Sequence, residues 1–112
     1  MKKLSWAGTA YSDLCDFPRE AKKLAGRELR RVQAGAEPID WKPMKSIGSG
    51  VHEIRIHAEG EYRVIYVAKF HDQVYVLHAF EKKSQKTPRR DCYLAQSRYK
   101  AVVRALIKPL KD

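Results

Sequence analysis

The sequence has few cysteines and no long hydrophobic run, and both absences narrow the class of protein. Its two cysteines, Cys15 and Cys92, lie far apart without metal-ligand spacing, which indicates reduced thiols in a cytoplasm rather than a disulfide framework. No apolar run approaches the roughly 20 residues of a membrane span. The opening stretch, residues 1–10, is too short and polar for the hydrophobic region of a signal peptide. We therefore expect a cytoplasmic protein that does not enter a membrane.

Metal and nucleotide motifs are also missing. The histidines form no dense ligand motif with carboxylates or thiols, so we predict no metal site and no cofactor. These histidines are His52, His57, His71 and His78. The tripeptide Gly48-Ser49-Gly50 lacks the downstream Gly-Lys-Ser/Thr of a phosphate-binding loop. The 112 residues show no internal repeat and suffice for one modest core, so we predict a single domain over residues 1–112.

Acidic residues are scarce. Lys and Arg total 23 against 13 Asp and Glu, which gives a formal charge of +10 and a pI near 9.8. So strong an imbalance on so short a chain suggests a polyanionic partner, either nucleic acid or an acidic protein.

The stretch from Val51 to Asp91 contains three runs of alternating β-branched and aromatic residues, separated by two short polar breaks. This pattern predicts a three-stranded antiparallel meander. Three-residue loops, Glu59–Glu61 and His71–Gln73, would pair Ile56 with Val64 and place His78 beside Tyr66 as a hydrogen-bonded core histidine. This register predicts one almost wholly apolar face: Ile54, Ile56, Ala58, Tyr62, Val64, Tyr66, Ala68, Phe70, Val74, Val76 and Phe80.

The opposite face of the predicted meander carries charge at one end and apolar residues at the other. The charged end is predicted to contain Glu53, Arg55, His57, Arg63, Glu81 and Lys83, and the apolar end Ile65, Val67, Tyr75, Leu77 and Ala79. Like charges so close repel each other, and a bound anion would relieve that repulsion. Local Glu–Arg pairing on a solvated face explains the pattern equally well. We place Arg63 on this face, away from the core.

The segments around the meander complete an α+β fold. Lys3–Gly8 is predicted as an edge strand, and Tyr11–Phe17 as a short helix. A longer helix over Pro18–Ala34 combines an apolar stripe with a basic face, which could be solvated or could receive an acidic partner. Glu37–Gly50 is predicted as a loop because it contains two prolines and two glycines. The last helix is predicted to run from a cap at Thr87, with Pro88 at its first position, to Lys108-Pro109.

Phosphodiester chemistry fits the charged residues better than metal or nucleophilic catalysis. RNA is cleaved when its 2′-hydroxyl attacks the adjacent phosphate, and an enzyme must then supply a base, an acid and cations. Arginine binds phosphate in a bidentate manner and stabilises developing charge. Lysine or histidine moves a proton if its pKa is tuned. The groups of the right type in this region are Arg55, His57, Arg63, Lys82, Lys83 and Lys86.

Three segments carry a resemblance to a known family. They are G-V-H-E-I-R-I, Y-R-V-I-Y and V-L-H-A-F-E-K-K-S-Q-K-T-P-R-R-D, and together they resemble the HigB-type, phage-related branch of the RelE/ParE toxin superfamily. The resemblance implies a small RelE-like fold, with an antiparallel sheet packed against N-terminal helices and a C-terminal helix. It also implies a type II toxin that cuts mRNA, usually in the ribosomal A site, without a metal. Its partner would be a helix-turn-helix antitoxin, and it would contact DNA only through that antitoxin complex.

The resemblance also implies which residues form the active surface. Arg55 and Arg63 would bind the scissile phosphate, Lys82 or Lys83 would transfer a proton, and His57 would be a further base or acid. RNA contacts would come from Gln85, Lys86, Arg89 and Arg90. The chain lacks an obvious C-terminal catalytic tyrosine, because Tyr99 lies on the apolar stripe of the last helix.

Two other functions are compatible with the sequence. A ParE-like protein would poison DNA gyrase and cleave nothing, although the concentration of basic residues favours a nuclease. A non-catalytic nucleic-acid-binding module would present exposed aromatics for base stacking, and Tyr75 is the only clear candidate on the charged face. An inactive phage remnant is a third possibility.

Overall fold

The computed structural model describes residues 1–107, and within them a five-stranded sheet lies between two helical layers. In chain order the elements are β1 (Lys3–Trp6), α1 (Ala10–Cys15), α2 (Arg19–Gln33), β2 (Trp41–Pro43), β3 (Val51–His57), β4 (Glu61–Val67), β5 (Gln73–Glu81) and α3 (Arg89–Leu106). The predicted helix end at Lys108-Pro109 lies outside the described residues. The α+β class is as predicted from the sequence.

The sheet is larger than the predicted meander. Its strand order is β1-β5-β4-β3-β2, with β1 parallel to β5 and the other neighbours antiparallel. The predicted N-terminal edge strand is therefore present, and it pairs with β5. The predicted loop contains the short strand β2, whose Lys42 lies opposite Glu53 of β3. A strand of only three residues that ends in proline has no alternation for sequence reading to detect.

Each face of the sheet has its own core and its own helices. On one face, α1 and α2 pack Leu14, Ala25 and Leu29 against Val64 and other buried sheet residues. The second face is covered by α3, which contributes Ala95 and the partly buried Tyr99, and by the loop after β2, which contributes Met44 and Ile47. No helix within residues 1–107 has the length and apolar character needed to span a membrane.

The first hairpin keeps the predicted faces but not the predicted register. Ile56 pairs with Tyr62 and His57 with Glu61, so the turn consists of residues 58–60 and the pairing is two residues away from that predicted. A shift of two preserves which side chains share a face, because the side-chain period of a strand is two. Glu59 occupies the left-handed region with φ of 52°, a conformation that the sequence pattern did not reveal.

A β-bulge in β5 makes the predicted faces wrong beyond Leu77. Ile65 pairs with His78 while Tyr66 pairs with Val76, so Leu77 is an extra residue in the ladder. Leu77 lies on the α3 side, as predicted, but His78 and Phe80 lie there as well and not on the α2 side that we predicted. The extra residue reverses the alternation of every later side chain in the strand.

Two prolines immediately precede the long helices. Pro18 and Pro88 occupy the N-cap positions of α2 and α3, and neither helix has a side-chain cap. The predicted cap at Thr87 is therefore wrong by one residue. The Thr87 hydroxyl donates instead to the Glu53 carboxylate, with Oγ1 3.4 Å from Oε2, and so joins the last loop to the charged end of the sheet.

Candidate active site

Charged side chains from three strands and one loop meet on the α3 face, at the end of the sheet that α3 leaves open. Arg55 and Arg63 are directly paired across β3 and β4, and Arg63 pairs with Phe80 of β5. We call the following residues the charged cluster: Lys42, Glu53, Arg55, Arg63 and Lys82. One carboxylate thus lies among four cations.

Arg63 lies deeper than predicted. Its side chain is only 7% exposed, whereas we expected it away from the core. Its Nη1 donates to Glu61 Oε1 at 3.1 Å and to the Tyr62 carbonyl at 3.0 Å. Its Nε lies 3.8 Å from Glu53 Oε1 and donates no hydrogen bond. The reason for the burial is that Glu53, Glu61 and Lys82, from three different segments, lie around the guanidinium at an end of the face that we predicted as solvated.

Glu53 has a fully buried side chain at the centre of the charged cluster. Its Oε1 lies 3.8 Å from Arg63 Nε and 4.0 Å from Lys42 Nζ, and it accepts no hydrogen bond. Its Oε2 accepts the Thr87 hydroxyl. A buried carboxylate is costly unless cations surround it, and the cluster supplies them.

A second ion-paired group extends along the edge of the cluster. Asp40 Oδ1 lies 3.8 Å from Arg55 Nη1, and Asp40 Oδ2 lies 2.7 Å from His57 Nε2. His57 Nδ1 lies 2.9 Å from Glu61 Oε2. The hydrogen bonds to Asp40, and then those to Glu61, raise the pKa of His57 above its ordinary value. Because both ring nitrogens face carboxylates, His57 is suited to be an acid and not a base.

The bulge in β5 decides which of the two adjacent lysines joins Arg63. We predicted Lys83 on the face of Arg63, but after the bulge that position falls to Lys82, whose backbone N–H donates to the Glu61 carbonyl at 2.7 Å. Burial, followed by the charge of Arg63, lowers the pKa of Lys82. The Lys83 side chain is 78% exposed and lies 3.9 Å from Glu81, so the two lysines have different surroundings.

The predicted RNA-binding residues do not all lie together. Gln85 and Lys83 line an open groove that also contains Arg63, Lys82 and Glu61. The side chains of Lys86 and Arg89 are exposed. Arg90 is exposed as well, but it lines a different groove, between α1 and the start of α3.

His78 is a core histidine, although not on the predicted face. It lies on the α3 side of the sheet instead of beside Tyr66, with Nε2 2.6 Å from Asp91 Oδ1. Arg98 Nη1 donates to its Nδ1 at 3.1 Å. Tyr75, the predicted stacking aromatic, packs partly buried in the α3-side core.

Sequence reasoning did not find several residues of the site, among them Asp40 and Lys42. Both lie in the segment that we predicted as a loop, and only the pairing of β2 with β3 brings them beside Arg55 and Glu53. Within residues 1–107, no three His, Cys, Asp or Glu side chains form a group that could hold a metal ion. The metal-independent reaction stays a prediction.

Comparisons with known proteins identify the family. No curated protein matches the chain. The family model described as "Phage derived protein Gp49-like (DUF891)" matches residues 12–100, which include all strands after β1, the whole of α2, the first twelve residues of α3 and the whole charged cluster. The chain belongs to the Gp49-like phage-derived protein family, a family of RelE/HigB-type toxins.

Proposed function

We propose that the protein is the toxin of a type II toxin–antitoxin system and a HigB-like, metal-independent endoribonuclease that cuts mRNA on the ribosome. The observation that carries this proposal is the charged cluster, in which two arginines and a partly buried lysine meet beside an open groove. Membership of a toxin family of RelE/HigB type supports the same reading.

The cluster contains the groups that RNA cleavage through the 2′-hydroxyl needs. In the proposed reaction Lys82 accepts the proton of the 2′-hydroxyl, since its lowered pKa leaves more neutral amine at physiological pH. The 2′-oxygen attacks phosphorus, a cyclic phosphate forms, and the 5′-oxygen leaves. Arg55 and Arg63 stabilise the charge on the phosphate oxygens. His57, whose pKa is raised by its hydrogen bonds to Asp40 and Glu61, is the acid that gives its proton to the leaving oxygen.

The test is mRNA cleavage in cells after brief induction, with Lys82→Met and Lys83→Met as a matched pair. Primer extension on wild type should show new 5′ ends within translated frames. Lys82→Met should reduce the rate of mRNA cleavage about 10²- to 10⁴-fold, the range for removal of a proton-transfer group. Lys83→Met should keep most of it, because its side chain lies largely in solvent. Loss in Lys83→Met with retention in Lys82→Met would show that the site is misassigned.

Arg63→Ala is a poorer first test than its place in the mechanism suggests. The substitution would leave buried Glu53 without its nearer cation, and breaking a buried pair in this way costs about 3–5 kcal/mol. Lost toxicity could then reflect lost folding. Lys82 is only partly buried, so its substitution disturbs the fold less.

Other outcomes of the same experiment would favour the alternatives. Intact mRNA with growth arrest and DNA damage would indicate a ParE-like gyrase poison. Intact mRNA with normal growth would indicate a non-catalytic nucleic-acid-binding module or an inactive remnant. Neither alternative needs a lysine with a lowered pKa beside two paired arginines, which is why we rank them lower.

We further propose a helix-turn-helix antitoxin of the HigA type as the partner. The solvent face of α2 offers it a continuous basic surface, which consists of the exposed residues Arg19, Lys22, Lys23, Arg27, Arg30 and Arg31. An acidic segment would find complementary charge there. Growth rescue by co-expression of the protein encoded beside this gene tests the pairing, and persistent arrest would contradict it.

A further inference from the structure

Glu53 is unusual among the carboxylates of this region because it is fully buried. The other acids that face the site arginines, Asp40 and Glu61, have side chains that are 40% and 44% exposed. Those two can be solvated when an arginine moves, but Glu53 cannot. A fully buried carboxylate must keep its cations close, so Glu53 constrains the positions of Arg63 and Lys42.

The contacts of Glu53 reach three different segments of the site. On β2 it faces Lys42 at 4.0 Å, on β4 it faces Arg63 at 3.8 Å, and on the loop before α3 it accepts the hydroxyl of Thr87. The same loop begins at Lys82, the proposed proton-transfer group. One carboxylate therefore contacts two cations whose charges act on that lysine and the loop that the lysine begins.

We propose that Glu53 is a positioning residue of the cleavage site, which holds the Arg63 guanidinium and the Lys42 amine around Lys82, and that Lys42 thereby becomes an additional phosphate-binding group. This inference rests on the proposed function and deepens it. Lys42 suits the role because its side chain is 39% exposed, so it can reach a ligand while it remains near Glu53.

The charge of Glu53 acts on Lys82 in the opposite sense to the charge of Lys42. Burial and the three neighbouring cations lower the pKa of Lys82, whereas the negative charge of Glu53 raises it. The charged groups around the Lys82 side chain are Lys42 on β2, Glu53 and Arg55 on β3, Arg63 and Glu61 on β4, and Lys83 on its own segment. Removal of Glu53 should thus lower the Lys82 pKa further, and removal of Lys42 should raise it.

The experiment compares Glu53→Gln with Glu28→Gln, the matched control. Glu28 is also a buried glutamate, with a side chain 5% exposed, ion pairs to Arg27 and Arg31, and one oxygen that accepts no hydrogen bond. It lies on α2, on the other side of the sheet, and its Oε1 accepts the Ile39 N–H at 2.7 Å, a bond that the amide oxygen of glutamine can keep. Any general cost of a neutralised buried glutamate should appear in both variants, whereas an effect on the site should appear only in Glu53→Gln.

Two measurements are made on each folded variant. The first is the NMR titration of the ¹³Cε resonance of Lys82. The second is the pH profile of mRNA cleavage on programmed ribosomes. Glu53→Gln should move to lower pH both the Lys82 titration midpoint and the part of the profile in which the rate rises with pH. It should also reduce the maximal rate about 10- to 100-fold, because the cations are misplaced. Lys42→Met should move both midpoints to higher pH, and Glu28→Gln should leave them at the wild-type value.

The outcomes separate this inference from the proposed function. If the wild type cleaves no mRNA, the proposed function fails, and the Lys82 titration alone decides whether Glu53 organises the cluster. Lys82 midpoints that are equal in wild type, Glu53→Gln and Lys42→Met would overturn the inference even if the wild type cleaves. If Glu53→Gln does not fold, the shift of the Lys82 midpoint in Lys42→Met decides whether the inference holds, because Lys42 is the partner of Glu53 that lies at the surface.

Discussion

At the residue scale, His57 illustrates how two carboxylates favour the charged form of a half-exposed histidine. Asp40 faces one ring nitrogen at 2.7 Å and Glu61 the other at 2.9 Å. These contacts raise the pKa of His57 above 6.5 and lower that of Glu61 below 4.5. The stabilisation by His57 is thus complete below its unfolded pKa and is lost as the pH rises through the higher folded pKa. The contribution of Glu61 is lost at the acidic end, as the pH falls through its folded pKa.

The raised pKa of His57 predicts how the stability of the fold depends on pH. Replacing His57 by Gln should lower the urea midpoint of unfolding more at about pH 6 than at about pH 9, because the stabilisation by the charged histidine is lost as the pH rises through its raised pKa. Urea titrations of both proteins at the two pH values measure the difference. The control is His71→Asn, which removes an exposed histidine and tolerates the positive φ of 49° at that position. A His57→Gln deficit that is equal at both pH values would contradict the charged state.

The sequence around Arg63 predicted the face of the sheet on which its side chain lies, but not its burial. Strand alternation correctly placed Arg55 and Arg63 on the face opposite Val64, because that face depends only on parity. It could not show that side chains from three segments would enclose the Arg63 guanidinium, since burial depends on tertiary packing. Nor could it show Lys42, whose strand is too short to leave a pattern. Local periodicity thus predicts faces, whereas the depth of a site depends on tertiary packing.

At the element scale, the bulge in β5 determines the composition of the site. Without the extra residue Leu77, Lys83 would share the face of Arg63, as the sequence predicted. Arg98 of α3 anchors the bulge: its Nη1 donates to the Leu77 carbonyl at 3.0 Å and to His78 Nδ1. Its Nη2 donates to Thr9 at 3.1 Å. No single-sequence signal marks a bulge whose anchor lies about twenty residues later on another element.

The anchoring contacts make Arg98 a stability determinant. Arg98→Met should destabilise the fold by about 1–3 kcal/mol, because the Leu77 carbonyl and His78 Nδ1 lose their donor. Urea unfolding at neutral pH measures the change. Lys100→Met, at an exposed position of the same helix, serves as the control and should stay within about 0.5 kcal/mol of wild type. Equal midpoints for the two variants would show that the bulge is stable without its anchor.

At the scale of the whole molecule, the positive charge is divided between the two sides of the sheet. The basic surface of α2 lies over one side, whereas the charged cluster lies on the other. At about 0.1 M salt, interactions between exposed charges are largely screened beyond about 10 Å, roughly the thickness of one packed layer. A short RNA bound at the cluster should hardly sense the charges of α2. The two surfaces can thus serve different partners, RNA on one side and an acidic protein segment on the other.

Salt dependence of RNA binding separates the two surfaces. For a short single-stranded RNA, the logarithm of the affinity should fall with the logarithm of salt concentration, by about 0.7 for each phosphate contact. Lys42→Met, which removes a proposed phosphate-binding cation, should reduce that slope by about 0.7, the value of one contact. The double variant Lys22→Gln/Lys23→Gln, which removes two exposed charges of α2, should leave the slope unchanged. Fluorescence anisotropy over a salt series measures all three proteins. A slope that falls as much in the α2 variant would mean that RNA crosses both sides of the molecule, and that the basic helix is part of the nuclease surface rather than a site for the antitoxin.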